Sequence, residues 1–153
     1  MNKRWILLPL SVLLLSGGCR EAPPVRLTLP QEPMKWEWTQ GDLHFSGTLQ
    51  RLSPDSREIV FEEPKTLSGL SCRLDPEETG YALQGLLCRF SESALPPGGL
   101  PAMLCEWAAQ MEEDPPVLQP EEDGCACEGA FGSGRFSLQA DADGTGKCVC
   151  FVF

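Results

Sequence analysis

Residues 34–50 read MKWEWTQGDLHFSGTLQ, and their apolar side chains recur at every second position. Met34, Trp36 and Trp38 share one side of an extended chain, because successive side chains of a β-strand point to opposite faces. Gly41 then has the character of a turn, after which the alternation resumes. The stretch therefore predicts two antiparallel strands that share one apolar face.

The same alternation continues as far as Phe90, with only short turns between its segments. Further strands are predicted around Ile59 and Phe61, over residues 70–75, over residues 81–84 and over residues 86–90. Short strands joined by tight turns are typical of an antiparallel meander with one buried face.

One helix and three more strands follow this meander. The helix is predicted from apolar residues at i, i+3, i+4, i+7, i+8 and i+11, which are Leu100, Met103, Leu104, Trp107, Ala108 and Met111. Residues 112–124 are acidic and proline-rich, which predicts a loop. Residues 125–131, 135–140 and 147–153 are predicted as strands, and Asp143-Gly144 predicts a hairpin turn between the last two.

These elements predict a mainly β fold of the α+β class. A long sheet with one apolar face must curl or pair with a second layer to bury that face. A single helix in the concavity is one solution, although it would fill the space only in part. We therefore expect a curled antiparallel sheet with one amphipathic helix covering its concave face.

Residues 1–18 have the organisation of a signal peptide. A short basic segment precedes the apolar residues 5–15, which are too few to span a bilayer, since a span takes about 20. Small residues from Ser16 to Gly18 then precede Cys19, a pattern that resembles the bacterial lipobox, with Ser16 where leucine is usual. The resemblance implies a lipoprotein that is cut before Cys19 and carries lipid, such as palmitate, on that cysteine.

Residues 19–33 are predicted to be the lipidated cysteine and a proline-rich tether, because their four prolines favour extended polyproline geometry. The domain itself is predicted to span residues 34–153. Its expected location is the extracytoplasmic face of the cell membrane, in the cell envelope. A net charge of −10 disfavours nucleic acid and anionic lipid as partners, so membrane attachment is expected to rest on the lipid.

Four motifs of glycine and apolar residues follow one another along the domain. They are Phe45-x-Gly47-x-Leu49-x-Arg51, Ile59-x-Phe61-x-x-Pro64-x-x-Leu67-x-Gly69-Leu70, Gly80-Tyr81-x-Leu83-x-x-Gly85-Leu86 and Leu95-Pro96. Together they resemble small lipoproteins of anaerobic Firmicutes, which are similar to the LolA/LolB-like lipoprotein carriers and the LppX-like fold. The resemblance covers residues 34–153 and implies a half-open antiparallel barrel, whose apolar concave face binds acyl chains in characterised relatives.

The resemblance and the apolar pattern together predict a function without catalysis. We expect a membrane-anchored lipoprotein that holds an acyl chain or another apolar ligand, with no cofactor, since an anchored domain cannot shuttle between membranes. The residues expected either to line such a cavity or to pack as core are Trp36, Trp38, Phe45, Phe61, Trp107 and Met111. The alternative is a structural or interaction lipoprotein with a filled core, whose protein partner the sequence does not identify.

Seven cysteines lie beyond Cys19 and leave three interpretations open. They are small apolar core residues, members of cross-strand disulfides, or thiolate ligands of a metal or redox site. Cys125-x-Cys127 and Cys148-x-Cys150 each place two thiols on one strand face, so four thiols could meet if those strands are neighbours.

No catalytic residues are predicted. His44, the single histidine, alternates onto the polar face of its strand and has no nearby partner for nucleophilic catalysis. Asp141-x-Asp143-Gly144 lacks the further oxygen ligands of a calcium loop and is predicted to be a plain hairpin turn.

Overall fold

The computed structural model describes residues 23–76, 79–90 and 99–153. The predicted signal peptide at residues 1–18 and the predicted lipidation site Cys19 lie outside the described residues. Within the described ranges the chain is mainly β, with one ten-stranded sheet and one helix, which confirms the predicted fold class.

The ten strands belong to one sheet in the order β6-β5-β4-β3-β2-β1-β10-β9-β8-β7. They are β1 (Met34–Gln40), β2 (Leu43–Ser53), β3 (Ser56–Glu63), β4 (Ser71–Leu74), β5 (Thr79–Leu83), β6 (Leu86–Phe90), β7 (Gln119–Glu121), β8 (Gly124–Phe131), β9 (Gly134–Ala140) and β10 (Gly146–Val152). This order is linear, so the sheet is open and β6 and β7 are its two ends.

The pairing of β1 with β10 is parallel, whereas the other pairings between these strands are antiparallel. The prediction of an antiparallel sheet was therefore wrong at this one place. Antiparallel neighbours need only a hairpin, but parallel neighbours need a long crossover connection. Here the chain leaves one meander at β6, passes through the helix and enters the second meander at the far end of the sheet.

The single helix among the described residues, α1, spans Leu100–Glu113 and covers one face of the sheet. Pro101 occupies its first turn, where the missing backbone N–H costs no helical hydrogen bond. Leu104, Trp107 and Ala108 are buried, which confirms the predicted apolar spacing. The Trp107 ring meets Phe151 edge-on at 5.5 Å between ring centroids, so the helix is fixed over the centre of the sheet.

Gly47 of β2 leaves room for Trp36, one of the two tryptophans of β1. Trp36 is fully buried and lies opposite Gly47 in the strand register. A Cβ atom on Gly47 would lie 2.9 Å from Cζ2 of Trp36 and would collide with the carbonyl oxygen of Val60. The missing side chain therefore leaves space for the indole, whose ring meets Phe61 edge-on at 5.4 Å between centroids.

An ion pair joins the last turn of α1 to the sheet. The guanidinium of Arg57 on β3 donates to Glu112 Oε2 at 2.7 Å, and Arg51 on β2 lies 3.6 Å from the other carboxylate oxygen. A carboxylate near a helix C-terminus is opposed by the helix dipole. The two arginines offset that repulsion while they fix the helix to β2 and β3.

The predicted tether is attached to the domain over part of its length. Leu27 is buried, and its N–H donates to the carbonyl of Pro116 at 3.0 Å. The N–H of Thr28 donates to the carbonyl of Gly144 at 2.8 Å, and the carbonyl of Thr28 accepts from the N–H of Gly146 at 3.0 Å. The carbonyl of Val25 also accepts from the N–H of Leu118 at 2.8 Å, so residues 25–28 of the predicted tether are attached to the domain. The local pattern missed it because the partners lie about a hundred residues away.

Strand β7 was missed, because its segment was predicted to be a loop. The strand is three residues long, lies at the edge of the sheet and contains Pro120. Proline cannot donate to a strand ladder and is tolerated at an edge, where no further strand needs that donor. An acidic, proline-containing edge strand has no local signal that separates it from a loop.

The contact between Trp36 and Gly47 gives the first testable prediction. We expect Gly47→Ala to lower the free energy of unfolding by about 1–3 kcal/mol, the usual cost of overpacking a core. Urea unfolding measures this as a lower midpoint with an unchanged slope. Thr48→Ala, one residue along on the opposite face, is the control. Equal midpoint shifts for the two variants would contradict the proposed steric role of Gly47.

Candidate functional site

Four of the six predicted ligand-lining residues are buried in the core. Trp36, Trp38, Phe61 and Trp107 have at most 6 % of their surface exposed. Their rings contact other aromatic rings, as in the stack of Trp38 on Phe153 at 4.1 Å. The space that a ligand would need around these four residues is therefore taken by other side chains of the same protein.

The other two predicted residues, Phe45 and Met111, are partly buried at the margin of that core. Phe45 lies opposite Trp38 in the register of β1 and β2, and Met111 lies on the last turns of α1. Both pack against buried hydrophobic residues. The structure thus brings the predicted set into one cluster, as core rather than as the wall of an open space.

A small void does remain under the C-terminal half of the helix. It has a volume of about 10 Å³ and lies between Met34, Leu49, Ala108 and Glu112, among others. That is room for about one water molecule, whereas ligand sites for small molecules usually measure about 300–1,000 Å³. This void is too small for an acyl chain.

The two Cys-x-Cys pairs lie on opposite faces of the sheet. Cys125 and Cys127 pair with Ala140 and Leu138, which face the helix. Cys148 and Cys150 instead alternate with buried residues of β10 and face outward. The four thiols do not meet, so the four-thiol metal site was wrong. The error arose because each pair has the right spacing, but only the strand register decides which face it occupies.

The outward pair has a partner that sequence analysis missed. Glu37 on β1 lies opposite Cys150 on β10, and its Oε2 is 3.9 Å from the sulfur. The sulfurs of Cys148 and Cys150 are 4.0 Å apart. All three ligand atoms lie within 4.8 Å of one another. We call these three residues the outer-face trio. The alternation of β1 places Glu37 on the polar face, but its nearness to the thiols depends on the parallel pairing.

The electrostatics of the outer-face trio favour neutral thiols in the absence of a cation. Burial raises the pKa of Cys148 to about 12, and the neighbouring Cys150 and Glu37 add to the effect. Burial also raises the pKa of Cys150, with the Glu37 carboxylate as the next contribution. The charged amine of Lys35, opposite Cys148, acts in the other direction on Cys148.

The remaining thiols have contrasting surroundings. Cys72 on β4 is fully buried opposite Tyr81, and burial raises its pKa to about 11. Burial likewise raises the pKa of Cys127. Cys88 on β6 is exposed. Cys72 and Cys125 are thus small apolar core residues, as one of the three interpretations proposed.

Two further motifs have plain structural roles. His44 is exposed, with Nδ1 3.3 Å from the Thr39 hydroxyl and Nε2 3.7 Å from a carboxylate oxygen of Glu63. Asp143 accepts a hydrogen bond from the N–H of Thr145 at 2.9 Å, within the turn between β9 and β10. The predicted hairpin turn is confirmed.

No helix among the described residues has both the length and the apolar character that crossing a membrane requires. Comparisons with family models, with curated proteins and with solved structures each found no match for this chain.

The contrast between Cys72 and Cys88 gives the second prediction. At mildly alkaline pH an alkylating reagent is expected to modify Cys88 quickly, because its thiol is exposed, and to leave Cys72 unmodified, because the thiolate is the nucleophile and the raised pKa keeps Cys72 protonated. Peptide mapping by mass spectrometry measures both sites in one sample. Unfolding in urea is the control and should make Cys72 reactive. Modification of Cys72 in the folded protein at the rate of Cys88 would contradict its burial.

Proposed function

We propose that this chain is a non-enzymatic lipoprotein, anchored at the extracytoplasmic face of the cell membrane, whose domain acts through its surface. The observation that supports the surface role is the filled space between α1 and the sheet. Trp36 and Trp107 are fully buried there, and the neighbouring void is about 10 Å³. A domain with such a filled interior presents a partner with its outside, which is the structural or interaction alternative of the sequence analysis.

The proposed anchor rests on residues 1–19, whose basic, apolar and small-residue segments end at Cys19. The attachment of Leu27 and Thr28 supports a position close to the membrane. Val25 lies six positions after Cys19, and at about 3.1 Å per residue this stretch spans about 19 Å. The domain would then lie near the lipid headgroups and have little freedom to leave them.

We also propose the finer fold assignment, a curled half-barrel related to the LolA/LolB-like carriers and the LppX-like fold. Its support is the single open sheet with one helix across one face. The parallel contact of β1 with β10 is the feature in which the chain departs from the all-antiparallel barrel that the resemblance implies. In this proposal the chain has a carrier-like architecture without a carrier cycle.

The third prediction separates a filled interior from one that holds an acyl chain. The mature domain, purified without detergent as a Cys19→Ser variant, is expected to show the mass of the bare polypeptide in native mass spectrometry. An added fluorescent fatty acid should remain unbound, because the described interior has no room for it. Trp107→Ala is the matched variant, because removing a large buried side chain opens an apolar cavity that can take a small apolar molecule.

A stoichiometric lipid or fatty acid on the unmodified domain would overturn the filled-core proposal and support the apolar-ligand alternative. Binding of a small apolar molecule by Trp107→Ala, but not by the unmodified domain, would instead indicate that the native side chains exclude such a ligand.

The fourth prediction tests the anchor. In a bacterial host, the wild-type precursor is expected to incorporate labelled palmitate and to sediment with membranes. Cys19→Ser should abolish the label and release the protein, because serine offers no thiol for the lipid. Cys88→Ser, which changes a different cysteine, is the control and should behave as wild type. Label retained by Cys19→Ser would place the lipid elsewhere and reject the proposed anchor.

A further inference from the structure

The geometry points to a zinc-binding site on the outer face of the sheet, formed by Glu37, Cys148 and Cys150. Two thiol sulfurs 4.0 Å apart and a carboxylate oxygen 3.9 Å from one of them form a compact triangle of ligand atoms. The triangle lies on the parallel pair β1 and β10, in the middle of the sheet, where both strands are held by neighbours on each side. The site is independent of the anchor and of the filled interior.

The spacing of these atoms fits a tetrahedral zinc ion. With Zn–S bonds of about 2.3 Å and a Zn–O bond of about 2.0–2.2 Å, the tetrahedral edges are about 3.8 Å between sulfurs and about 3.6 Å between sulfur and oxygen. Two of the observed separations, 4.0 and 3.9 Å, therefore need to change by only a few tenths of an ångström. The third, from Cys148 Sγ to the Glu37 carboxylate, is at most 4.8 Å and has to shorten by up to about 1.2 Å. Glu37 is exposed, so its side chain is free to rotate toward the two sulfurs.

The positions of Cys148 and Cys150 on one strand disfavour a disulfide between them. Residues two apart on one strand have Cα atoms about 6.6 Å apart, whereas disulfides are most often found at about 5.5–6 Å. Bridging the pair would also have to draw the sulfurs together from 4.0 Å to about 2.05 Å. Such a contraction would distort β10 between its two partners. A metal ion can bind both sulfurs without this contraction.

The charges and the ligand types favour zinc in particular. Two thiolates and one carboxylate carry three negative charges, of which a divalent cation neutralises two, and Lys35 beside Cys148 offsets the rest. Thiolates select zinc and copper(I) over magnesium and calcium, and the carboxylate is better suited to zinc than to copper(I). Binding of one Zn²⁺ displaces two thiol protons to solvent and forms two Zn–S bonds, with no change of oxidation state.

The fourth coordination position faces solvent. A surface groove of about 440 Å³ opens beside Cys150, lined by Glu128, Arg135 and Ser137 among others. A water molecule can therefore reach the metal and complete the tetrahedron. This arrangement, with three protein ligands and one open position, is the one that zinc uses where it is accessible to solvent.

The experiment uses the full mature protein, reduced, freed of metal and kept in detergent. Equilibrium dialysis against Zn²⁺ followed by elemental analysis is expected to give one zinc per chain. Co²⁺ as a probe should give a sulfur-to-cobalt charge-transfer band, which reports thiolate ligands directly. Glu37→Gln should weaken Zn²⁺ binding by about tenfold or more, and Cys148→Ser and Cys150→Ser by more still, with loss of the cobalt band.

Two control variants remove the same chemical groups, a thiol and a carboxylate, at positions away from the proposed site. Cys88→Ser removes an exposed thiol from β6, and Glu106→Gln removes an exposed carboxylate from α1, which covers the other face of the sheet. Both should keep one zinc per chain. Zinc should also raise the thermal unfolding temperature of the wild type and raise that of Glu37→Gln less.

Glu37 is exposed, so Glu37→Gln keeps the fold and remains informative even where a cysteine variant fails to fold. The proposal is overturned if the wild type binds no stoichiometric zinc, if Glu37→Gln and Cys150→Ser bind it as tightly as the wild type, or if mass spectrometry finds a disulfide between Cys148 and Cys150 in the native protein.

Discussion

The structure depends on the parallel pairing of β1 with β10. This contact joins two antiparallel meanders, one running outward from β1 to β6 and the other from β10 to β7. Separately, neither meander carries the whole set of side chains that α1 covers. Once joined, they place Trp36 of the first and Phe151 of the second on the same face, and Trp107 packs edge-on against Phe151. The hydrophobic core therefore exists only because residues at opposite ends of the domain become neighbours.

The two faces of this sheet have separate roles. The inner face is filled by aromatic and aliphatic side chains, and Cys72 and Cys125 act there as small apolar residues. Burial raises the pKa of Cys72 and so lowers its reactivity. On the outer face, strand alternation places Cys148 and Cys150 beside polar residues, with Cys148 opposite Lys35 and Cys150 opposite Glu37. The same residue type thus serves packing on one side and is available for metal chemistry on the other, because period-two alternation separates the two environments by the thickness of a single sheet.

The N-terminal segment connects this architecture to the proposed membrane location. Leu27 inserts into the core, and the backbone around it bonds both to the segment before β7 and to the turn before β10. A segment attached in this way would hold the domain at a short, fixed distance from the proposed anchor. In the proposed arrangement the few residues from Cys19 to Val25 would keep the domain close to the bilayer, although the net charge of −10 over the whole chain gives no electrostatic attraction to anionic lipid.

The amino-acid sequence by itself determined the mainly β class, most strand positions, the buried face of α1 and the hairpin turn at Asp143, because each depends on the local periodicity or turn chemistry of neighbouring residues. It could not determine which strands pair, since pairing joins residues far apart in the chain and has no local signal. Only the tertiary structure decided that β1 meets β10 in parallel, that Leu27 is attached to the domain, and that the two Cys-x-Cys pairs face opposite ways. Glu37 became a partner of Cys150 for the same reason: strand register, which carries no local signature, sets which side chains meet across a sheet.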